Sequence, residues 1–466
     1  MDGLEAIEIQ YSYLRTLKTM RIDNEYFSKR YIENEVLLQK FGYKLIGEIV
    51  GTITDFGAYS QTNFIQLQEH GVNFFRNQDV KNNTIDKGGC AKISNEVYDK
   101  LTLKLQSNDI LISRTGTLGS AGVVGQKHLP ASANQNLAVL RNIQDMLPYY
   151  VSVVLCSKIG LLQINRHSTG NVQQWLNLEA IKGLKIPNTT SGFQKTIQKM
   201  VISSEELLSK STIIFSSVEQ LITDRCGFSI KKTTCENNSV KMLSDSLGIS
   251  GRLDAEYYQE KYQAYETAIV SAIQGYTYIK NVFTPVKEKC QRNLSNYNYV
   301  EIGDIDIGTG CASFNIVNTN ELPDNAKIMT QKGDLLVSTV RPNRGAVAIL
   351  EKDALLVSGA FTVLRETGDY PKEVLQVLLR TSIYRDWLLR FNVGTSYPVI
   401  KDEDVLNIPI PLLEDNVKQA VVNKVNESAS LRRQSKQLLE YAEQAVEMAI
   451  EQGEDAALAW LKDKVE

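Results

Sequence analysis

The chain has 466 residues, about three times the roughly 150 of a common domain, so it can build two or three cores. Hydrophobic residues make up 43% and charged residues 23%, mean hydropathy is -0.21, and no run approaches the ~18 apolar residues of a membrane helix, which excludes an integral helical membrane protein. The net charge of -3 is uneven, with Lys+Arg against Asp+Glu at 18 to 14 over residues 21–190, 17 to 20 over 251–411 and 7 to 11 over 412–466, so no segment is the strongly basic domain of a free-standing nucleic-acid binder, and any such contact must use local patches or a basic partner.

The opening segment, MDGLEAIEIQ, has no basic stretch followed by an apolar one, so no secretory signal and a cytoplasmic chain are expected. Residues 1–19 form an N-terminal helical segment, with a short helix expected over 4–18. Residues 20–190 read as a mixed α/β module. Its apolar runs at 109–113 (DILIS), 122–125 and 137–141 are bounded by Gly, Asn and Pro, as strands are, and 152–165 has helical spacing. A long helix is expected over 191–228, where Ser191 and Gln194 give a capping-box start just after Pro187. Two adjacent seven-residue stripes run along it, Met200, Leu207, Ile214 and Leu221 beside Val201, Leu208, Phe215 and Ile222. They make a seam that must pack on another helix. Residues 193–224 alone would span about 48 Å at ~1.5 Å per residue. Residues 229–411 read as a second mixed module, with its core at 252–411 and a helix over 373–389. Residues 412–466 hold a second long helix from near Asn416, carrying Leu431, Leu438 and Leu439, and a C-terminal tail.

The second half matches the first at an offset of about 224 residues. NQNLAVLR at 134–141 lies over SGAFTVLR at 358–365, Gly170 over Gly394, and IKGLKIP at 181–187 over VLNIPIP at 405–411. DILIS at 109–113 matches DLLVS at 334–338 one residue away, and RIDNEYF at 21–27 matches RLDAEYY at 252–258 a few residues further off. Five matches in one order indicate a duplicated module, with loop insertions shifting the register. Ser204 and Ser211 match Ser428 and Ser435, small residues that would let the two helices approach closely. The expected fold is therefore α+β, with two similar mixed α/β modules separated by two long antiparallel coiled-coil helices in a pseudo-two-fold arrangement.

Catalytic patterns are missing. The six cysteines form no C-x-x-C and sit near no His at zinc spacing, and three histidines leave little room for imidazole chemistry. No phosphate-binding loop, H-E-x-x-H or G-x-S-x-G occurs, and the Gly308-Thr-Gly310 cluster lacks the third glycine of a dinucleotide fingerprint. The chain has no Pro-Pro, hence no amino-methyltransferase motif. Pro323-Asp324 is followed by no acidic-x-Lys partner, and Ser113 and Ser338 sit at strand ends without a His base. The expectation is a binding protein with no catalytic residues and no metal.

Candidate contacts fall in loops. Residues 113–122 (SRTGTLGSAG) leave a strand directly, and Arg114, Thr115 and Thr117 supply donors for phosphate or a guanine edge. The corresponding stretch 338–345 (STVRPNRG) offers Arg341, Asn343 and Arg344. Asn134, Gln135 and Asn136 can pair with adenine, or equally satisfy a turn. Arg166, Gln173 and Gln174 around Gly170, and Thr395, Ser396 and Tyr397 after Gly394, make a second polar rim.

The segments GDLLVSTVRPNRGAV (333–347), NDILISRTGTLGSAGVV (108–124), ANQNLAVLR (133–141) and GTSYPVIKDEDVLNIPIPL (394–412) running into a long helix make the chain resemble the specificity (S) subunit of a type I restriction-modification system. The resemblance covers nearly the whole chain. It implies two target-recognition domains, at 20–190 and 252–411, each reading half of a bipartite sequence in double-stranded DNA. It implies conserved helices at about 192–226 and 414–450 that set the spacer and dock two methyltransferase (M) subunits, with endonuclease/translocase (R) subunits joining them. It implies that S-adenosylmethionine is bound by the methyltransferase partners, which flip and methylate adenine, with no cofactor on this chain. The expected place is the bacterial or archaeal cytoplasm. Alternatives are a coiled-coil protein-interaction scaffold without a DNA role, a reader for a related defence system, and an enzyme with a divergent site.

Overall fold

The computed structural model describes residues 8–15, 21–57, 65–68, 70–170, 174–226, 240, 242–246 and 251–465. It is a mixed α/β structure with two long helices, Ser191–Arg225 and Asp415–Gln452. The chain divides into two compact units. One comprises Met1–Leu208 with Arg432–Glu466, the other Ser209–Leu431.

The first unit is built on an antiparallel sheet ordered Val50–Thr54, Leu137–Ile143, Ile110–Ser113, Ala121–Val123. Every residue from Ile110 to Ser113 is buried, which explains the unbroken apolar run. Successive side chains leave a strand on opposite faces. Ile110, Ile112, Ala138 and Leu140 therefore join a core with the helices, while Leu111, Leu137 and Val139 join a core with a three-stranded sheet. That second sheet is Ala91–Ile93, Val72–Phe75, Ala131–Ala133, with the last two parallel.

The second unit has an antiparallel sheet Phe283–Pro285, Phe361–Glu366, Leu335–Ser338, Val347–Ile349, faced on one side by Leu335, Val337 and Leu364 and on the other by Leu336, Phe361 and Val363. Its second sheet has four strands, Asn315–Asn318, Asn296–Val300, Leu355–Ser358 and Ala326–Met329. In each unit a strand arginine pairs with the carboxylate that opens the neighbouring strand: Arg141 with Asp109 at 2.6 Å and 2.9 Å, and Arg365 with Asp334 at 2.8 Å.

Each helix expected inside a module is two. Residues 152–165 fall in Pro148–Cys156 and Lys158–His167, because buried Ser157 takes an extended backbone and its side chain caps the second helix at the Gly160 N–H. The close approach requires Gly160, where a Cβ would lie 2.1 Å from the Val154 carbonyl. Residues 373–389 likewise divide into Lys372–Arg380 and Ser382–Trp387 at the extended Thr381, followed by the short turn Leu388–Phe391.

The first long helix is capped one residue earlier than expected. Thr190 Oγ1 accepts the Phe193 N–H, while the Gln194 side chain, buried, accepts from Leu147 N and donates to Thr189 O. In the first unit Ser204 Oγ meets Ser435 O at 2.9 Å and Ser435 Oγ at 2.8 Å. Together with Thr190 on Glu454, this runs the segments antiparallel. In the second unit Ser211 Oγ meets Ser428 O at 2.9 Å, and Lys424 Nζ reaches Ser217 Oγ. The innermost positions are thus Ile197 and Ser204 in one unit and Ser211 and Val218 in the other. Of the expected stripes, Met200, Val201, Phe215 and Ile222 are buried, but Leu207, Leu208, Ile214, Leu221, Leu431, Leu438 and Leu439 are half-buried at the margin. Serines let the backbones approach, and a stripe defined by hydrophobicity passes over them.

Residues beyond 452 are part of the first unit's core. After Gly453 the helix Glu454–Val465 buries Ala457 and Leu461, and Trp460 meets Tyr441 edge to face at 5.4 Å. Of the expected helix over 4–18, the described part is helical at Tyr11–Leu14. No helix among the described residues is long and apolar enough to cross a membrane.

Candidate nucleic-acid interface

In each unit the loop that leaves the central strand is bridged to a second loop about 60 residues later. In the first unit Arg114 N–H donates to Asn136 O, Leu176 N–H donates to Arg114 O, and Thr115 forms a bridge with Trp175. In the second, Thr339 N–H donates to Ala360 O, Ile400 N–H donates to Thr339 O, and Val340 bridges Val399. Ser113 Oγ donates to Thr115 O at 2.8 Å and Ser338 Oγ to Val340 O at 2.7 Å. These two strand-end serines use their hydroxyls to turn the chain.

In this register the two loop arginines do not correspond. Arg114 occupies the place of Thr339, and Arg341 occupies the place of Gly116, both with φ in the left-handed region (51° and 70°). The two arginines also differ in environment. Arg114 is 5% exposed. Its Nε donates to Leu176 O at 3.0 Å, its Nη1 pairs with Asp55, and its guanidinium lies 4.3 Å from the Trp175 ring centre. Buried, hydrogen-bonded through Nε and Nη1 and set over Trp175, the group is committed within the protein, so the structure does not support Arg114 as a base reader. It clamps the two loops together. Thr115 is also buried, with its carbonyl turned to Ser113 and Asn77. Thr117 is exposed at the loop tip.

Arg166 is buried as well. It donates to Tyr26 O at 3.1 Å, pairs with Glu35, and stacks on Tyr26 at 4.5 Å, which makes it an internal latch, away from any surface rim. Asn134 accepts the Asn136 N–H with its side chain and the Leu137 N–H with its carbonyl, so it closes the turn it sits in. Gln135 is half-buried and Gln174 exposed. Gln173 lies outside the described residues.

In the second unit the structure brings the candidates together. Arg341, Asn343, Arg344, Thr395, Ser396 and Tyr397 are all exposed. Arg341 N–H donates to Pro398 O at 2.7 Å, and its guanidinium sits 5.5 Å from the Tyr397 ring centre. The Arg341 loop is held by a short helical turn, Pro342–Arg344, with Pro342 buried. The facing loop is tied by Asn392, whose Oδ1 accepts from Gly394 N and Val399 N at 2.8 Å and 2.9 Å. Gly394 is required there, because a Cβ would lie 2.1 Å from Tyr397 O. Among the described residues neither Arg341 nor Arg344 is in an ion pair.

Sequence reasoning missed Asp55, Trp175 and Asn392. The first two decide which arginine is hidden, and the third shapes the exposed loop. Their signal was weak, since each lies far from its partner in sequence or in a run without a motif.

Two histidines and two cysteines away from these loops are internal. Burial, with Lys127 and Lys87 nearby, lowers His128 to about 4, and burial with Arg166 and Arg21 lowers His167 to about 4. Burial pushes the Cys156 and Cys226 thiols up to about 12, so they stay protonated near neutrality. Among the described residues no three His, Cys, Asp or Glu side chains converge as metal ligands.

No protein-family model matches the chain. It is similar to the type I restriction enzyme MjaVIII specificity subunit of Methanocaldococcus jannaschii, with 21% identity over 364 residues, which covers 75% of this chain and 80% of that one. Solved structures also align with it. The type I restriction-modification S subunit from M. genitalium matches at 12% identity over 88% of this chain and 94% of that chain, with a TM-score of 0.39. The HsdS subunit from Thermoanaerobacter tengcongensis matches at 11% identity over 88% and 97%, with a TM-score of 0.30. In the sequence match and in its own motifs, the chain is similar to the specificity subunits of type I restriction-modification systems.

Proposed function

We propose that this chain is the non-catalytic DNA sequence-specificity subunit of a type I restriction-modification complex. Its two recognition modules, residues 20–190 and 229–411, are copies of one duplicated unit, and each reads one half of a bipartite target in double-stranded DNA. The helices at 191–228 and 412–466 pair as an antiparallel coiled coil, act as the spacer, and dock two methyltransferase subunits, through which endonuclease/translocase subunits join. S-adenosylmethionine binds to the methyltransferase partners. Phosphate contacts shared with those partners account for a chain of net charge -3.

The observation that carries this reading is the bridged loop pair, which recurs at matched positions in both units with different side chains on the same backbone. A reader of two unlike half-sites needs that combination of constant frame and variable tip. The experiment is genome-wide mapping of methylated adenines with the gene intact and deleted. A split motif methylated only when the gene is present supports the reading. An unchanged pattern, with partner genes expressed, favours a protein scaffold.

A further inference from the structure

We propose that the half-site read by the second unit contains a guanine, and that Arg341 is the residue that selects it. This rests on the DNA-reading function above and adds a base and a residue to it. Arg341 adopts φ 51°, a left-handed conformation that costs a non-glycine residue about 1–2 kcal/mol and that the first unit fills with Gly116. Glycine is the unstrained choice at this corner, so the side chain needs a use that offsets the strain. The corner is held on both sides. Arg341 N–H donates to Pro398 O, Arg341 O accepts from Arg344 N at 3.0 Å, and buried Pro342 fixes the turn.

The guanidinium is then placed against Tyr397, on a loop stiffened by Asn392 and Gly394. A phosphate contact needs only a mobile positive charge. A guanidinium plane held against an aromatic ring instead offers two parallel N–H groups in a fixed direction, matching the O6 and N7 acceptors of guanine in the major groove. Adjacent Arg344, exposed and outside the stack, suits a phosphate. Among the described residues the first unit's loops show no counterpart: Gly116 carries no side chain, Arg114 is spent on Asp55 and Trp175, and the exposed side chains there, such as Thr117 and Gln174, carry no charge.

The test maps adenine methylation in cells carrying the full complex with the wild-type chain, Arg341→Gly, Arg341→Lys or Arg344→Ala. Arg341→Gly relieves the strained corner, so it should fold and copurify with the methyltransferase partner as the wild type does. We expect it to turn one G·C position in one half of the motif degenerate, a preference of roughly tenfold or more falling to about twofold or less, with the other half unchanged. Arg341→Lys should lose most of the same preference, and Arg344→Ala should lower methylation at all sites without altering the motif. An Arg341→Gly motif that keeps every guanine overturns the inference, as does a uniform fall over all sites or full rescue by lysine. If the wild type has no gene-dependent motif, the DNA-reading function itself fails, a result distinct from a motif that Arg341 leaves untouched.

Discussion

The loop at the end of the first unit's central strand turns through Gly116 and buries its arginine. Its counterpart in the second unit turns through Arg341 and exposes it. The frames agree bond for bond: strand-end serine to carbonyl, loop to loop bridge, and the Arg–Asp pair at the other end of the strands. What differs is the set of side chains at the tip. Backbone hydrogen bonds tolerate almost any residue, so a stable frame can carry unlike surfaces. One arginine can become part of the frame while another stays available to a partner.

The largest expected effect tests the shared frame. Asp109 is almost wholly buried, pairs with Arg141 and accepts the Gln106 N–H. Asp109→Ala should destabilise the first unit by about 3–5 kcal/mol, the usual cost of stranding a buried partner. Asp334→Ala should cost less, because Arg365 is more exposed than Arg141 and can turn to water. Thermal unfolding of the two variants checks the order, and equal costs would show that exposure of the arginine does not matter.

Next comes the contrast between the arginines. Arg114→Ala should lower stability by about 2–4 kcal/mol, leaving Asp55 without its cation. The methylation motif should stay unchanged at the sites still modified. That is the opposite signature from Arg341→Gly. A changed motif without loss of stability would return Arg114 to the reading surface.

The helix contact gives a smaller effect. Ser204→Leu inserts a branched side chain where Ser204 and Ser435 touch, and should cost about 1–3 kcal/mol and weaken assembly with the proposed methyltransferase partner. Leu207→Ala, at the half-buried margin, should cost less than Leu→Ala changes in a full core do. The reverse ranking would put the seam back on the leucine stripe. Unfolding midpoints and copurification both read it.

The smallest effect concerns two matched glutamates. Glu219, in the second unit, is raised by burial but opposed by Arg380 and Arg385. Among the described residues no cation offsets the burial of Glu443, in the first. Burial first, then Glu447 and Glu440, push it up to about 7 from 4.5, against a hydrogen bond from Asn83 at 2.9 Å. A carboxyl raised in the folded state keeps its proton there after the unfolded chain has lost it, so stability falls as pH rises from about 4.5 through about 7. Glu443→Gln should remove that slope, worth on the order of 1–3 kcal/mol, and raise stability at pH 8. Unfolding midpoints at pH 5 and pH 8 decide it, and a slope unchanged in the variant would exclude Glu443 as its source.

Much of the fold was legible in the residues. Runs such as DILIS and DLLVS became strands buried on both faces, and the long apolar-striped segments became helices with ends close to those expected. Less of the site was legible. Arg341, Asn343, Arg344, Thr395, Ser396 and Tyr397 do come together on one surface, while Arg114, Thr115 and Arg166 face inward.

The sequence by itself determined what depends on neighbours along the chain: apolar periodicity, the order of elements, the matched segments and the resemblance they carry. Only the tertiary structure decided which polar groups were already satisfied. Arg114 and Arg341 have the same five donors, and their difference lies in Asp55, 59 residues before one, and Tyr397, 56 residues after the other. The same holds for Ser204, whose importance comes from the serine facing it 231 residues later. A polar side chain's availability depends on the partner that folding brings beside it, and that partner is seldom near in sequence.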